Sequence, residues 1–401
     1  MKTEIFTNDI APAAEIIQSG GLVAVPTETV YGLAANGLDA VAVERIYEVK
    51  GRPETKPLSL MVPGKEALTL YGRDVPSSAY VLAERFWPGP LTIIVKAAPG
   101  IPDIVLAGGD TVGLRCPDSE KTLALLKKCG LPLAAPSANP SGAESPKRLE
   151  QVAEYFDGQI EGIIDGGPCG IGKESTIIDL TVSPYRILRQ GALPAEAIQE
   201  ALIGSLKIVG VTGGTGAGKT TALDALKNKG ALVIDADKVY HDLCQESTAM
   251  LGEIEVRFPG SVTDGVLQRQ KLGAVVFSDP EALADLSAIT DIYVDRAINE
   301  LLANHAAAGG KYAAVDAINL IGTNLARRFT ALVGILAPEE DRVARLVARE
   351  GITPEYARMR IRAQKPDAYF ETNCDYIIRN DGSREAYRLA CEYLFETILE
   401  D

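Results

Sequence analysis

Histidine is almost missing from this chain: its 401 residues contain two, His241 and His305, both in the second half. A His-rich metal site is thereby excluded, and a Ser-His or Cys-His nucleophile in the first half would lack its base. The six cysteines, Cys116, Cys129, Cys169, Cys244, Cys374 and Cys391, are scattered without a CxxC pair. They read as reduced, mostly buried small apolar residues rather than disulfides or zinc ligands. No zinc, haem or nicotinamide cofactor is expected. No apolar run approaches the roughly 18 residues of a membrane span. The N-terminal MKTEIFTNDIAPAAE carries acids where a signal peptide needs a basic start and an apolar centre. A soluble, cytoplasmic protein without a membrane partner is expected. Basic surplus is missing too: a net charge of -14 argues against broad nucleic-acid binding, and no stable nucleic-acid complex is expected, although local basic pockets remain open.

What is present is globular in character, with 46% hydrophobic and 23% charged residues. At roughly 100–200 residues per domain the length predicts two or three domains. A junction near 192–206, ALPAEAIQEALIGSL, reads as one short helix, then Gly204 and a new strand, which divides the chain into 1–203 and 206–401. In the first half, 21–25, 91–97, 111–115, 131–137, 162–166 and 175–180 read as strands, and 39–49, 79–86, 119–129, 147–156 and 194–202 as helices. Such short strands, some adjacent in sequence, predict a mixed twisted sheet with helices on it. The second half has the rhythm of a parallel α/β/α sheet: strands at LKIVGVT, ALVIDAD, YAAVDAI and ALVGILA, with helices between, including 280–305 and 339–349.

Gly213-Gly214-Thr215-Gly216-Ala217-Gly218-Lys219-Thr220 fits G-x-x-x-x-G-K-[ST], between an apolar strand and a helix. The glycines let successive N–H groups converge on phosphate oxygens at the positive helix end. Lys219 reaches the β/γ-phosphates and the Thr220 hydroxyl holds Mg²⁺ supplied with ATP. Asp235 and Asp237 end the next strand, where a carboxylate holds Mg²⁺ or accepts a proton; the plainer reading is a helix N-cap. Asp316 is the other candidate metal carboxylate. Arg342, Arg345 and Arg349 share one helical face and either close over the phosphates or pair with nearby acids at the surface.

VGVTGGTGAGKTT and GALVIDADKVYHDL, with TDGVLQRQKLGAVVFSDPEAL, RLVAREGIT, RIRAQKP and CDYIIRNDGS, resemble dephospho-CoA kinase over about 206–390. The resemblance implies a P-loop kinase fold and ATP-dependent phosphorylation of the ribose 3′-hydroxyl of dephospho-CoA. It implies ATP binding by Gly214, Gly216, Ala217, Gly218, Lys219, Thr220 and Thr221, and Asp237 as catalytic base with a share in metal binding. Arg345 and Arg349 match lid arginines and Asn380 an adenine-proximal position. The chain departs from the family pattern at Thr290-Asp291 and at Ile318–Asn324, two acceptor-side segments.

In the first half, Pro26-Thr27-Glu28-Thr29-Val30-Tyr31-Gly32 precedes Lys50-Gly51-Arg52-Pro53 and Lys56-Pro57-Leu58-Ser59. Three cations in seven residues at a helix C-terminus, closed by prolines, form a stiff cationic loop, either an anion site or a charge cap on the helix end. Ser137–Gly142 and Gly172–Thr176 are hydroxyl- and glycine-rich segments next to strands.

PTETVYGL, KGRPETKPLS, TVGLRCP, APSANPSG and STIIDL, in this order, resemble the threonylcarbamoyl-AMP synthase family over roughly 8–200. The family condenses ATP, L-threonine and bicarbonate to threonylcarbamoyl-AMP and pyrophosphate, and the product feeds the tRNA-modification machinery downstream. The resemblance assigns Lys50, Arg52 and Lys56 to the triphosphate, with Lys50 and Arg52 as catalytic cations. It places Thr111, Ser137, Ser145 and Arg189 near the nucleotide and Thr29, Arg115 and Ser175 near threonine. A bifunctional enzyme is the expectation. Its rivals are a C-terminal half that is regulatory or phosphorylates another acceptor, and an RNA-binding maturation factor in the first half.

Overall fold

The computed structural model describes residues 2–318 and 320–400, so Asn319, within the departing 318–324 segment, lies outside them. The chain divides into two compact units, Met1–Leu202 with Ala307–Gly309, and Ile203–Ala306 with Gly310–Asp401. Among the described residues no helix is long and apolar enough to cross a membrane.

The first unit is built on one mixed sheet. Its strands are β1 (Glu4–Phe6), β2 (Val23–Val25), β3 (Gly32–Asn36), β4 (Ser59–Met61), β5 (Gly72–Arg73), β6 (Leu91–Ala97), β7 (Thr111–Arg115), β8 (Leu133–Ala134), β9 (Gly162–Ile164), β10 (Thr176–Asp179) and β11 (Arg186–Arg189). The spatial order is β1-β9-β2-β3-β8-β4-β7-β6-β10-β11, with β5 on β6. Parallel neighbours such as β4–β7 and β6–β10 alternate with antiparallel ones such as β7–β6 and β10–β11. The expected mixed sheet is therefore present. The expected strand 131–137 shrinks to Leu133–Ala134, because Pro132 and Pro136 have no N–H to give and lend only their carbonyls, to Gly37 and Leu33. Helix Ala11–Gln18 and strands β1, β3, β4 and β11 are additions to the expectation; each is eight residues or fewer, too short for a clear period.

Helix Ala40–Lys50 shows how sequence chemistry places the cationic loop. The Asp39 carboxylate caps its start, accepting from Val41 and Ala42 N–H, and Gly51 ends it at φ 59. Ala42, Val43, Ile46 and Tyr47 are buried, so Lys50 is carried inward as the last helical residue and Arg52 starts the loop.

In the second unit, β12 (Lys207–Thr212), β13 (Leu232–Asp235), β16 (Tyr312–Asp316), β17 (Ala331–Leu336) and β18 (Tyr376–Arg379) form an all-parallel sheet in the order β13-β16-β12-β17-β18; β14 (Val262–Thr263) and β15 (Val266–Leu267) form a separate hairpin. The four expected strands are present and β18 adds an edge. Val209, Val211, Val333 and Ile335 are fully buried in the sheet, beneath Ala222 and Leu226 of helix Lys219–Asn228 and Phe395 and Ile398 of helix Arg384–Glu400. This parallel arrangement puts the C-terminal ends of β12, β13 and β16 side by side, with Asp235 opposite Asp316 in register.

Candidate active sites

In the first unit, strand ends deliver polar side chains to one cleft of about 160 Å³. Arg115 closes β7, Arg189 closes β11, Ser175 precedes β10, Ser59 opens β4, and Ser137 bridges to Gly32 across the sheet. The cleft is lined by Arg52, Arg115, Ser137, Ser175 and Arg189 of the expected set, together with Ser59, Thr92 and Glu174. Arg115 is held from behind: its Nη2 donates to Glu28 Oε1 and to Thr29 Oγ1, each at 2.7 Å. Its Nε is buried without a partner, a free donor for a carboxylate. Arg189 donates from Nε to the Ser175 carbonyl at 2.9 Å and from Nη2 to Ser175 Oγ at 3.0 Å, and Thr92 Oγ1 lies 2.8 Å from the same hydroxyl. Ser145 Oγ donates to Glu174 Oε1 at 2.8 Å, which holds the Glu174 carboxyl below its usual range.

Not every expected residue reaches the cleft. Lys50 is 3% exposed and its ammonium donates to the Ser137 and Asn139 carbonyls, so it ties the 137–139 segment instead of lining the cavity. Burial, with Arg52 second, pushes it down to about 7. Lys56 is exposed, and its carbonyl accepts from Arg52 Nε at 3.3 Å. Thr111 opens the strand that Arg115 closes, so about 13 Å of backbone separates them.

In the second unit the Gly-rich loop follows β12 and opens helix Lys219–Asn228. Lys219 Nζ lies 3.1 Å from Asp316 Oδ1, an ion pair between two side chains only 16% and 17% exposed. Asp235 is the N-cap of helix Ala236–Glu246, accepting from Lys238 N–H at 3.0 Å. The capping reading therefore holds for Asp235, and Asp237 lies in the first turn of the helix. Partial burial, and after it the Asp235 charge, raise the Asp237 carboxyl, while Lys219 opposes. Arg345 Nη1 donates to the Gly216 and Ala217 carbonyls at 3.1 and 3.3 Å, and buried Asn380 donates from Nδ2 to Ala217 O at 2.8 Å. Arg349 pairs with Glu350 at the surface.

The family model described as telomere recombination (Sua5/YciO/YrdC) matches residues 15–191, and that of dephospho-CoA kinase matches residues 207–386. The threonylcarbamoyl-AMP synthase of Pyrococcus abyssi is 50% identical over 49% of this chain and 57% of its own length. That of Marinobacter nauticus is 33% identical over 43% of this chain and 90% of its own length. The chain belongs to the threonylcarbamoyl-AMP synthase family. It spans little more than half the length of the P. abyssi relative. The solved structure of P. abyssi Sua5 complexed with L-threonine is 30% identical, aligned over 79% of this chain and 100% of that one, with a TM-score of 0.49.

Several residues of this synthase-family chain that build the sites carry no motif signal of their own role. Glu28 sits inside the PTETVYGL motif and Glu174 in the Gly172–Thr176 segment, yet only the contacts to Arg115 and Ser145 show what they do. Tyr387, whose hydroxyl donates to Gly218 O at 3.0 Å, lies more than 160 residues from the loop, in an ordinary amphipathic helix. Among the described residues, no three His, Cys, Asp or Glu side chains are grouped to hold a metal ion. Asp316, paired with Lys219, and Asp237, whose charge acts on it, offer carboxylate oxygens of the kind Mg²⁺ takes.

Proposed function

We propose that the chain is a bifunctional enzyme whose first unit makes threonylcarbamoyl-AMP from ATP, L-threonine and bicarbonate, and whose second unit phosphorylates the 3′-hydroxyl of dephospho-CoA. One observation carries the first assignment: three guanidinium groups, Arg52, Arg115 and Arg189, face one hydroxyl-lined cleft. Threonine's amine attacks the carbon of bicarbonate, water leaves, and a carbamate forms. A carbamate oxygen then attacks the ATP α-phosphorus as the bond to pyrophosphate breaks. Negative charge grows on phosphate oxygens in the second step, and fixed cations with oriented hydroxyls lower that barrier without a histidine base. Arg115, with its free Nε, suits the threonine carboxylate, and Arg52 and Arg189 suit the phosphates.

In the second unit, Lys219 neutralises the β/γ-phosphates of Mg-ATP and Asp237 accepts the proton of the attacking hydroxyl. Thr220, Asp237 and Asp316 are the residues that would hold the Mg²⁺, which screens phosphate charge. A different acceptor, or a purely regulatory nucleotide site, is the second reading. It is favoured by Thr290, whose hydroxyl turns back onto the Leu286 and Ser287 carbonyls of its own helix instead of toward an acceptor.

Chromatographic detection of CoA and ADP after mixing the protein with Mg-ATP and dephospho-CoA tests the kinase half. CoA formed by the protein and lost in Lys219→Ala supports it; retained ATP binding without CoA selects the second reading. Threonylcarbamoyl-AMP formation from ATP, threonine and bicarbonate, lost in Arg115→Ala, tests the synthase half. Tight tRNA binding in a gel shift at physiological salt would instead favour an RNA-binding role.

A further inference from the structure

The phosphate loop turns its carbonyl groups outward, onto side chains from distant segments. Thr215 O accepts from Arg342 Nε at 3.0 Å, Gly216 O from Arg345 at 3.1 Å, Ala217 O from Asn380 at 2.8 Å and Gly218 O from Tyr387 at 3.0 Å. In a planar trans peptide the C=O and the following N–H point in opposite directions, so a carbonyl fixed outward turns the next N–H inward. Thr215 carries the most contacts. Its N–H donates to Gln364 Oε1 at 2.9 Å, its hydroxyl accepts from Gln364 Nε2 at 2.6 Å, and Arg342 Nη2 donates to the same Gln364 oxygen at 2.9 Å. Arg342 is 7% exposed and its guanidinium covers Gly214, where a Cβ would run into it. That contact is a reason for glycine at 214 separate from any ligand.

We propose that Arg342 and Gln364 are positioning residues for the nucleotide: they lock the Thr215 peptide so that the Gly216 N–H that follows is already turned inward when the triphosphate arrives. The inference rests on reading this loop as a nucleotide site, and adds what presets it. It also divides the arginines of helix Glu339–Glu350 by task. Arg342 belongs to the wall of the loop and does not close over the phosphates, and Arg349 belongs to the surface. The ordering of the loop is done during folding, so less is lost on binding.

The test is calorimetric titration of the full-length protein with Mg-ATP, taking as the site of interest the binding that Lys219→Ala abolishes. Arg342→Met and Gln364→Met keep side-chain volume and remove the polar contacts. Each is expected to weaken that binding about tenfold, the loss of one charge-assisted hydrogen bond network. The double variant is expected to be no weaker than about the worse single one, because both break the same unit. Arg342→Lys, with a single ammonium nitrogen in place of the two guanidinium nitrogens that reach Thr215 and Gln364, is expected to recover part of the affinity. Unchanged affinity in Arg342→Met and Gln364→Met, or losses that simply add, would overturn the proposal. If Arg342→Met does not fold by circular dichroism, Gln364→Met alone decides it. ATP binding that survives Lys219→Ala in full is a different failure: it removes the nucleotide reading of the loop, and the positioning role with it.

Discussion

Arg115 Nη2 and Glu28 Oε1 are 2.7 Å apart, with side chains only 9% and 11% exposed. The other Glu28 oxygen accepts from the Asp118 backbone N–H at 2.9 Å. One carboxylate thus fixes both the guanidinium and the chain just beyond β7, and leaves Arg115 Nε as the free donor. Trp87 is the single tryptophan and lies in the first unit, so its fluorescence follows that unit's unfolding.

Removing Glu28 leaves a buried cation without its partner, which costs about 3–5 kcal/mol. Urea unfolding read at Trp87 is expected to show Glu28→Ala strongly destabilised. Glu28→Gln, which keeps an oxygen acceptor, should lose less stability and raise KM for threonine more than KM for ATP. Equal changes in both KM values would count against Arg115 as the threonine anchor.

Lys50 sits at about 7 in the folded protein against 10.5 for an unperturbed lysine. Between those values the unfolded chain holds a proton that the folded chain has released, so stability rises with pH across that window. Below it, the desolvation penalty of the charged ammonium is felt in full. Lys50→Met is expected to flatten the rise in Trp87-detected stability between pH 7 and pH 10. A mutant slope equal to that of the parent would show that Lys50 is not its source.

Asp237 must be ionised to accept a proton, and its carboxyl lies above the ordinary 3.8 because of burial and the Asp235 charge. The kinase rate should therefore climb as pH rises through that elevated value. Asp235→Asn keeps the helix cap and removes the like charge, moving the acidic limb to lower pH. An unmoved limb would mean that another group titrates. Asp237→Asn is expected to lower the rate by about 10²–10⁴ with Mg-ATP binding retained.

Gly218 has φ 113, and a Cβ there would run into the Asn380 amide. Gly218→Ala should cost about 1–3 kcal/mol in the second unit and abolish its Mg-ATP binding. Thermal melting and the same calorimetric titration measure both. Nucleotide affinity retained in this variant would contradict the need for the loop geometry described.

Where local structure depends on consecutive residues, it was legible from the chain. The phosphate loop needs glycines, a lysine and a hydroxyl in one short stretch between a strand and a helix, and that stretch is local chemistry. The end of the helix at Lys50 is local in the same way, because Gly51 follows at φ 59, but of the three cations there only Arg52 lines the cleft. The short strands β1, β3, β4 and β11 were hidden, since so few residues display no period and their pairing partners lie elsewhere in the chain.

The amino-acid sequence by itself determined the two-family organisation, the parallel and mixed sheets, and which stretches carry charge and hydroxyls. Only the tertiary structure decided which side chains meet. It sent the Lys50 ammonium to two backbone carbonyls, made Asp235 a cap, put Glu28 behind Arg115, and brought Arg342, Gln364, Asn380 and Tyr387 onto one loop. The physical reason is that an ion pair or hydrogen bond depends on distances of about 3 Å between groups, and separation along the chain does not set those distances once strands and helices have packed.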